Sequence, residues 1–160
     1  MALDLPTIIR NFDLRKCMQC GKCSASCPAG FESNLRTRMI IYMAKSGMDV
    51  LDLNELWSCT TCYTCQERCP KGVKVTDAII FLRNLAARRG NFPRIHLTAI
   101  KAIYDTSNGF PLTPEISKIR SLLGLQKEPA DVAHNEEALS KFRRLMESIE
   151  IINITREAQK

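Results

Sequence analysis

The chain of 160 residues carries eight cysteines in a repeated spacing: Cys17, Cys20, Cys23, Cys27 before Pro28, then Cys59, Cys62, Cys65, Cys69 before Pro70. Both groups read C-x-x-C-x-x-C-x-x-x-C-P. A cubane of four irons and four sulfides presents four iron corners in a tetrahedral array, each wanting one thiolate. Three cysteines two residues apart can wrap three corners, and the fourth corner lies too far around. In two-cluster proteins with this run, the fourth cysteine ligates the other cluster. The pattern therefore predicts two [4Fe-4S] clusters, one held by Cys17, Cys20, Cys23 and Cys69, the other by Cys59, Cys62, Cys65 and Cys27. Neither group lacks or substitutes a member, so nothing points to a three-iron cluster.

Three rival uses of these cysteines each carry a physical cost. Structural zinc takes two C-x-x-C pairs about 12 to 20 residues apart, and four cysteines within eleven residues crowd a tetrahedral ion. Disulfide scaffolds are denser in cysteine than this chain and belong to oxidising compartments. A redox-active C-x-x-C would leave six cysteines unexplained. Met1 to Lys16 places Asp4, Pro6, Arg10, Asn11 and Asp13 where a signal peptide needs a continuous apolar stretch. No apolar run approaches the roughly 20 residues of a membrane span. A cytoplasmic protein without a membrane span is expected.

The elements that must position the cysteines read as helices. Between the groups, Ser33 or Asn34 caps a helix with Leu35, Met39 and Met43 on one face and Gly47 at its end. Leu53, Leu56 and Trp57 lead into Cys59, with Trp57 as a core anchor that could also shield the second cluster. Thr76 reads as the N-cap of a helix carrying Ile79, Leu82, Leu85 and Ala86, stopped at Gly90. Pro93 opens a helix with Leu97, Ile100, Ile103 and Tyr104. Thr113 with Pro114 opens another that ends at Gly124, and Asn135 caps a last one with Leu139, Phe142, Leu145, Met146 and Ile149. Glu150 to Thr155 is ambiguous. Gly, Pro and β-branched runs are too few for a sheet, so the fold class is all-α. Residues 1–110 form the cluster-binding domain, and 111–160 a C-terminal helical extension suited to partner contact.

The formal charge of +6 is unevenly spread: residues 59–110 hold 8 basic and 3 acidic side chains, while the flanking segments nearly balance. Two thiolate-ligated clusters would contribute about −4, so much of the excess offsets cluster charge, and a nucleic-acid partner is not expected. Arg83, Arg88, Arg89, Arg94 and Lys101 read as a solvated face or a docking surface. His96 and His134 have no carboxylate or cysteine constellation beside them in sequence. In the first ligand loop, at Met18 and Gln19, sulfur contacts are assigned to the backbone N–H groups rather than to side chains.

Two complete motifs joined by a helix, with Leu56-Trp57-Ser58-Cys59 opening the second, resemble the α-helical ferredoxin domain found in the iron-sulfur subunits of succinate dehydrogenases. Gly90-Asn91-Phe92-Pro93 and the Arg120 to Leu125 stretch resemble the heterodisulfide reductase family more narrowly, and within it the small two-cluster C subunit. That resemblance implies an electron-transfer role in a soluble complex of methanogenesis. The chain would pass electrons from a flavin- and iron-sulfur-containing partner to a catalytic partner, which reduces the coenzyme M–coenzyme B heterodisulfide. A hydrogenase or formate dehydrogenase would be the upstream donor. The chain itself has no catalytic residue in this reading: nucleotide, phosphate-loop and zinc-protease motifs are missing, as are the Cys-Cys-Gly sequences of the heterodisulfide-reducing partner. The alternative is the iron-sulfur component of a succinate/fumarate, lactate or glycerol-phosphate type dehydrogenase.

Overall fold

A computed structural model of the chain describes residues 5–110 and 112–148, and among these every regular element is helical. The chain divides into two compact units, Met1–Phe92 and Pro93–Lys160. Ile149 and the stretch Glu150 to Thr155, assigned above from sequence, lie outside the described residues.

In the first unit the helices are short around the cysteines and longer where they build the core. They are α1 (Leu5–Asn11), α2 (Lys22–Ala25), α3 (Pro28–Glu32), α4 (Thr37–Lys45), α5 (Thr64–Glu67) and α6 (Val75–Arg88), with 3-10 turns at Leu14–Lys16 and Asn54–Ser58. Helix α4 buries Thr37, Ile40, Ile41 and Ala44. Met39, expected on its inner face, is exposed, and Leu35 is buried from the turn before the helix. The helix begins two or three residues later than read from sequence, because Ser33 Oγ accepts the Leu35 N–H and ties that segment into a turn. Its far end is as expected: Gly47 adopts φ 77°, the left-handed geometry that ends helices.

Helix α6 is the spine of the unit, burying Val75, Thr76, Ala78, Ile79, Leu82 and Ala86. With Ile8, Leu14, Leu35, Ile40, Ile41, Val50, Leu51, Leu56 and Val73 its apolar residues form one cluster that also contains Cys27 and Cys65. Each buried aliphatic side chain contributes about 1.5–3 kcal/mol. Two ligand-bearing turns are therefore anchored directly in the core. The far end of the same helix is tied down by Arg89, whose guanidinium lies 2.6 Å from Asp49, and by Asn91, which donates to Leu51 O at 2.6 Å.

The second unit comprises α7 (Arg94–Thr106), α8 (Pro114–Leu122) and α9 (Glu136–Ser148). Thr113 Oγ1 accepts from Ile116 N and Asn135 Oδ1 from Ala138 N, as their capping types require. Arg143 of α9 reaches the C-terminal carbonyls of Tyr104 and Asp105 on α7, where a cation is favoured by the helix dipole. Tyr104 returns a bond to Glu147 at 2.7 Å. Ile116, Ile119, Leu122, Leu123 and Leu125, in and just after α8, are all exposed, as is Leu145 on α9. His134, contrary to its sequence reading, sits beside two carboxylates, 3.3 Å from Glu128 and 3.8 Å from Asp131, on an exposed loop.

Candidate metal centre

The two cysteine motifs fold into the same backbone figure. Each begins with a 3-10 turn that delivers its first cysteine in extended geometry: Cys17 at φ −67°, ψ 115° and Cys59 at φ −67°, ψ 123°. Two residues on, the chain turns left-handed, at Gln19 (φ 59°) and Thr61 (φ 53°), and does so again at Gly21 (φ 83°) and Tyr63 (φ 63°). A single-turn helix, α2 or α5, then carries the third cysteine, Cys23 or Cys65. Left-handed backbone costs a non-glycine residue on the order of 1 kcal/mol, and such strain collects at ligand-holding loops. Alternating hands of this kind curl a loop so that successive N–H groups point into its concave side, where anions are held.

The first loop closes over a small pocket that four cysteines line together: Cys17, Cys20, Cys23 and, from the second motif, Cys69. The other four also gather. Burial raises the Cys65 thiol above its ordinary range, the Thr76 hydroxyl counters it, and the nearby Cys59, Cys27 and Cys62 thiols raise it further. Burial likewise pushes Cys23 up to about 11, reinforced by Cys65 and Cys17. Cys23 therefore feels a cysteine of the other motif, so the two groups are neighbours. Cys20 and Cys62, the second cysteine of each motif, are exposed, whereas Cys27 and Cys65 are buried.

Sulfur-directed hydrogen bonds come from both backbone and side chains. Thr61 N donates to Cys59 Sγ and Val73 N to Cys69 Sγ, each at 3.4 Å. Gln19 Nε2 donates to Cys17 Sγ at 3.2 Å, so the assignment of that loop's sulfur contacts to backbone alone does not hold. Thr76 Oγ1 lies 3.3 Å from Cys65 Sγ, and Thr64 Oγ1 lies 3.5 Å from Cys62 Sγ and holds that thiol below its ordinary pKa. Thr76 is thus no N-cap: its hydroxyl is turned into the site. The start of α6 is capped instead by Gln66, whose Oε1 accepts from Thr76 N at 3.0 Å and Asp77 N at 3.3 Å.

Arg83, one of the five residues of the expected basic face, is half-buried and committed elsewhere. Its Nε donates to Leu56 O at 2.7 Å, its Nη2 to Cys59 O at 2.5 Å, and its guanidinium lies 5.5 Å from the Trp57 ring centre. Burial lowers its pKa, and Cys59 opposes that shift. The side chain pins the last carbonyls of the 3-10 turn from which Cys59 projects. Sequence spacing alone could not separate it from Arg88, which is exposed.

The donor set suits a cluster. Thiol sulfurs line the cavity, N–H groups aim at those of Cys17 and Cys69, and among the described residues no three of His, Cys, Asp or Glu close tightly enough to hold a single metal ion. Residues 13–73 match the 4Fe-4S dicluster domain family. Along most of its length the chain is also similar to proteins of methanogenic archaea. The iron-sulfur C subunit of the CoB–CoM heterodisulfide reductase of Methanopyrus kandleri is 40% identical over 83% of this chain and 70% of its own length. The C subunit of the ferredoxin/F420H2-dependent CoB–CoM heterodisulfide reductase of Methanosarcina acetivorans is 44% identical over 86% of each. The C2 subunit of the H2/formate:CoB–CoM heterodisulfide,ferredoxin reductase of Methanococcus maripaludis is 38% identical over 85% of this chain and 74% of its own length.

Proposed function

Because the chain belongs to the heterodisulfide reductase C subunit family, whose members are iron-sulfur electron-transfer components of an oxidoreductase, we propose that it carries electrons from a flavin-containing partner to a catalytic one. Reduction of the CoB–CoM heterodisulfide would be completed on that catalytic partner. Two [4Fe-4S] clusters are held in crossed fashion, one by Cys17, Cys20, Cys23 and Cys69, the other by Cys59, Cys62, Cys65 and Cys27. The observation that carries this reading is the joining of Cys69 to the three cysteines of the opposite motif around one cavity. The influence of Cys27 on Cys65 supports the mirrored exchange. When bound, each cluster accepts and gives up one electron without making or breaking a bond to substrate.

The chain's own residues hold, shield and orient. The core anchors Cys27 and Cys65, so the second ligand set is fixed by the same burial that stabilises the first unit. Thr61 N–H, the Thr76 hydroxyl and the Gln19 amide direct partial positive charge at sulfur, which favours the more negative, reduced state. Arg83 lies over Trp57 and holds the Cys59 carbonyl, fixing the turn from which that ligand projects. No residue here is assigned a catalytic role, since all eight cysteines serve as ligands. In residues 111–160 the exposed apolar side chains in and after α8 are suited to contact with another protein of the complex, and a hydrogenase or formate dehydrogenase is the proposed upstream donor. No helix among the described residues is long and apolar enough to cross a membrane.

The test is anaerobic purification with the neighbouring reductase proteins, with iron and flavin counted and the native mass measured. About eight irons per copy of this chain, together with flavin on a partner, is the expected result. An iron-free but folded chain, or an iron-loaded chain that assembles only with a succinate/fumarate, lactate or glycerol-phosphate type dehydrogenase, would reject the proposal.

A further inference from the structure

The two ligand loops share one backbone figure but lie in different electrostatic surroundings. Lys22, Arg38 and Lys71 line the cavity of the first loop, and the adjoining hollow is lined by Lys22, Ala25, Ser26 and Arg68. All four cations are exposed, and neither lining includes Asp or Glu. Among the described residues none of the four takes part in an ion pair. They ring an open part of the site, where Cys20 is exposed and Met18 is 59% exposed. At the second loop Cys62 is equally open, but its neighbours Thr60, Thr61 and Tyr63 are uncharged, and Tyr63 donates to Asp77 at 2.9 Å. The hollow beside it, lined by Phe12, Tyr63, Asp77, Ile80, Phe81 and Asn84, contains no cation.

Compensation of cluster charge does not account for this placement. The more deeply set ligands, Cys27 and Cys65, have Arg83 drawn half into the protein beside their loop. The four rim cations stand in water, where their field on a buried charge is heavily screened. Exposed cations of one sign around an open site act chiefly on an approaching partner, steering it and fixing its register.

We propose that Lys22, Arg38, Arg68 and Lys71 form the docking surface for a redox partner protein that presents Asp and Glu around its own centre, and that the uncharged Tyr63 end does not receive that partner. This rests on the electron-transfer reading above and adds which end of the chain an acidic partner meets.

The test uses the intact complex. Lysines are acetylated in the iron-loaded isolated chain and in the co-purified assembly, and modification is read by mass spectrometry. Lys22 and Lys71 are expected to be protected at least tenfold in the assembly, with Lys141 of α9 as the exposed reference site. Carbodiimide coupling should join Lys22 or Lys71 to a partner Asp or Glu, the carbodiimide leaving as its urea. A Lys22→Glu/Lys71→Glu chain with full iron content should fail to assemble at about 150 mM salt, an ionic strength at which steering is only partly screened. Equal acetylation of both lysines in chain and complex, or normal assembly of the double variant, would overturn the proposal. Iron is counted on the same samples: an iron-free chain rejects the electron-transfer reading, whereas an iron-loaded chain with unprotected lysines rejects the docking surface alone.

Discussion

Replacing Arg83 by methionine isolates what one half-buried guanidinium does for the second ligand loop. Methionine keeps much of the apolar stem but removes the donors to Leu56 O and Cys59 O and the cation over Trp57. A hydrogen bond from a charged donor contributes about 1.5–3 kcal/mol, and an arginine over an indole that is not fully desolvated adds about 0.5–1 kcal/mol. The two carbonyls belong to one 3-10 turn and its exit and are released together, so the contributions do not simply add. Loosening of the Cys59 turn by about 2–3 kcal/mol is the reasonable result, and if it appears in the barrier to cluster loss it speeds that step roughly 30- to 150-fold. The assay is iron release to a chelator under argon. The variant should show one fast phase amounting to half of the iron, the other half leaving at the wild-type rate. Arg83→Lys keeps the charge but cannot fork between two carbonyls, so it should fall between the two. Release at the wild-type rate, or a fast phase that takes all of the iron, would refute the assignment of Arg83 to the Cys59 loop.

Cys27→Ser should damage the cluster organised by Cys59, Cys62 and Cys65, and paramagnetic resonance showing loss of the Cys17 group's signal instead would reject the crossed assignment. In Gly30→Ala the new Cβ would meet Leu35 O at 3.0 Å and Cys27 Cβ at 3.4 Å. That variant should bind less iron, whereas Gly72→Ala, with open space around its Cβ and only a left-handed φ to strain it, should keep its iron and lose about 1 kcal/mol. Thr76→Val removes a hydroxyl from Cys65 at nearly constant volume and should move one reduction potential downward in a redox titration, leaving the other in place. Asp49 is held below the usual carboxylate range chiefly by its bond from Arg89. Its small contribution to stability is therefore present above the unfolded pKa and fades as pH falls through the folded one. Asp49→Asn should flatten the acid limb of a thermal-unfolding profile there without altering neutral iron content.

That cysteines of the two motifs would gather was legible, because thiolate chemistry fixes both residue type and spacing. So were most helix ends, where Gly47, Thr113 and Asn135 act through local backbone geometry. The misreadings share a cause. Thr76 has the type of an N-cap and the position of one, but Gln66, ten residues earlier, supplies the cap and frees the hydroxyl for Cys65. Met39 fits an i, i+4 stripe with Leu35 and Met43, yet the helix starts at Thr37, and the inward face becomes Ile40, Ile41 and Ala44. Arg83 lies in a run of basic residues along one helix, and only the return of the chain at Leu56 to Cys59 distinguishes it. In each case the deciding contact is one that neither periodicity nor capping preference encodes.

The duplicated figure gives a reason for the left-handed tyrosine. In the first loop the second left-handed residue is Gly21, which adopts φ 83° at no steric cost, and in the second loop it is Tyr63 at φ 63°. A bulky side chain in this region is an outlier that the surroundings must enforce. Here the Tyr63 hydroxyl reaches Asp77 at 2.9 Å, and Gln66 Nε2 meets the same carboxylate at 3.0 Å, so α5 and the loop before it are clamped onto the first turn of α6. Asp77 also stands near the positive end of that helix, where a carboxylate is favoured. Tyr63→Gly should therefore not gain the relief of strain that glycine offers: it removes the clamp along with the side chain. Tyr63→Phe separates the two effects, keeping the ring and the strained backbone while deleting one hydrogen bond. If Tyr63→Gly proves more stable than the wild type in iron-loaded thermal unfolding, the clamp contributes less than the strain, and the tyrosine is not retained for holding the loop.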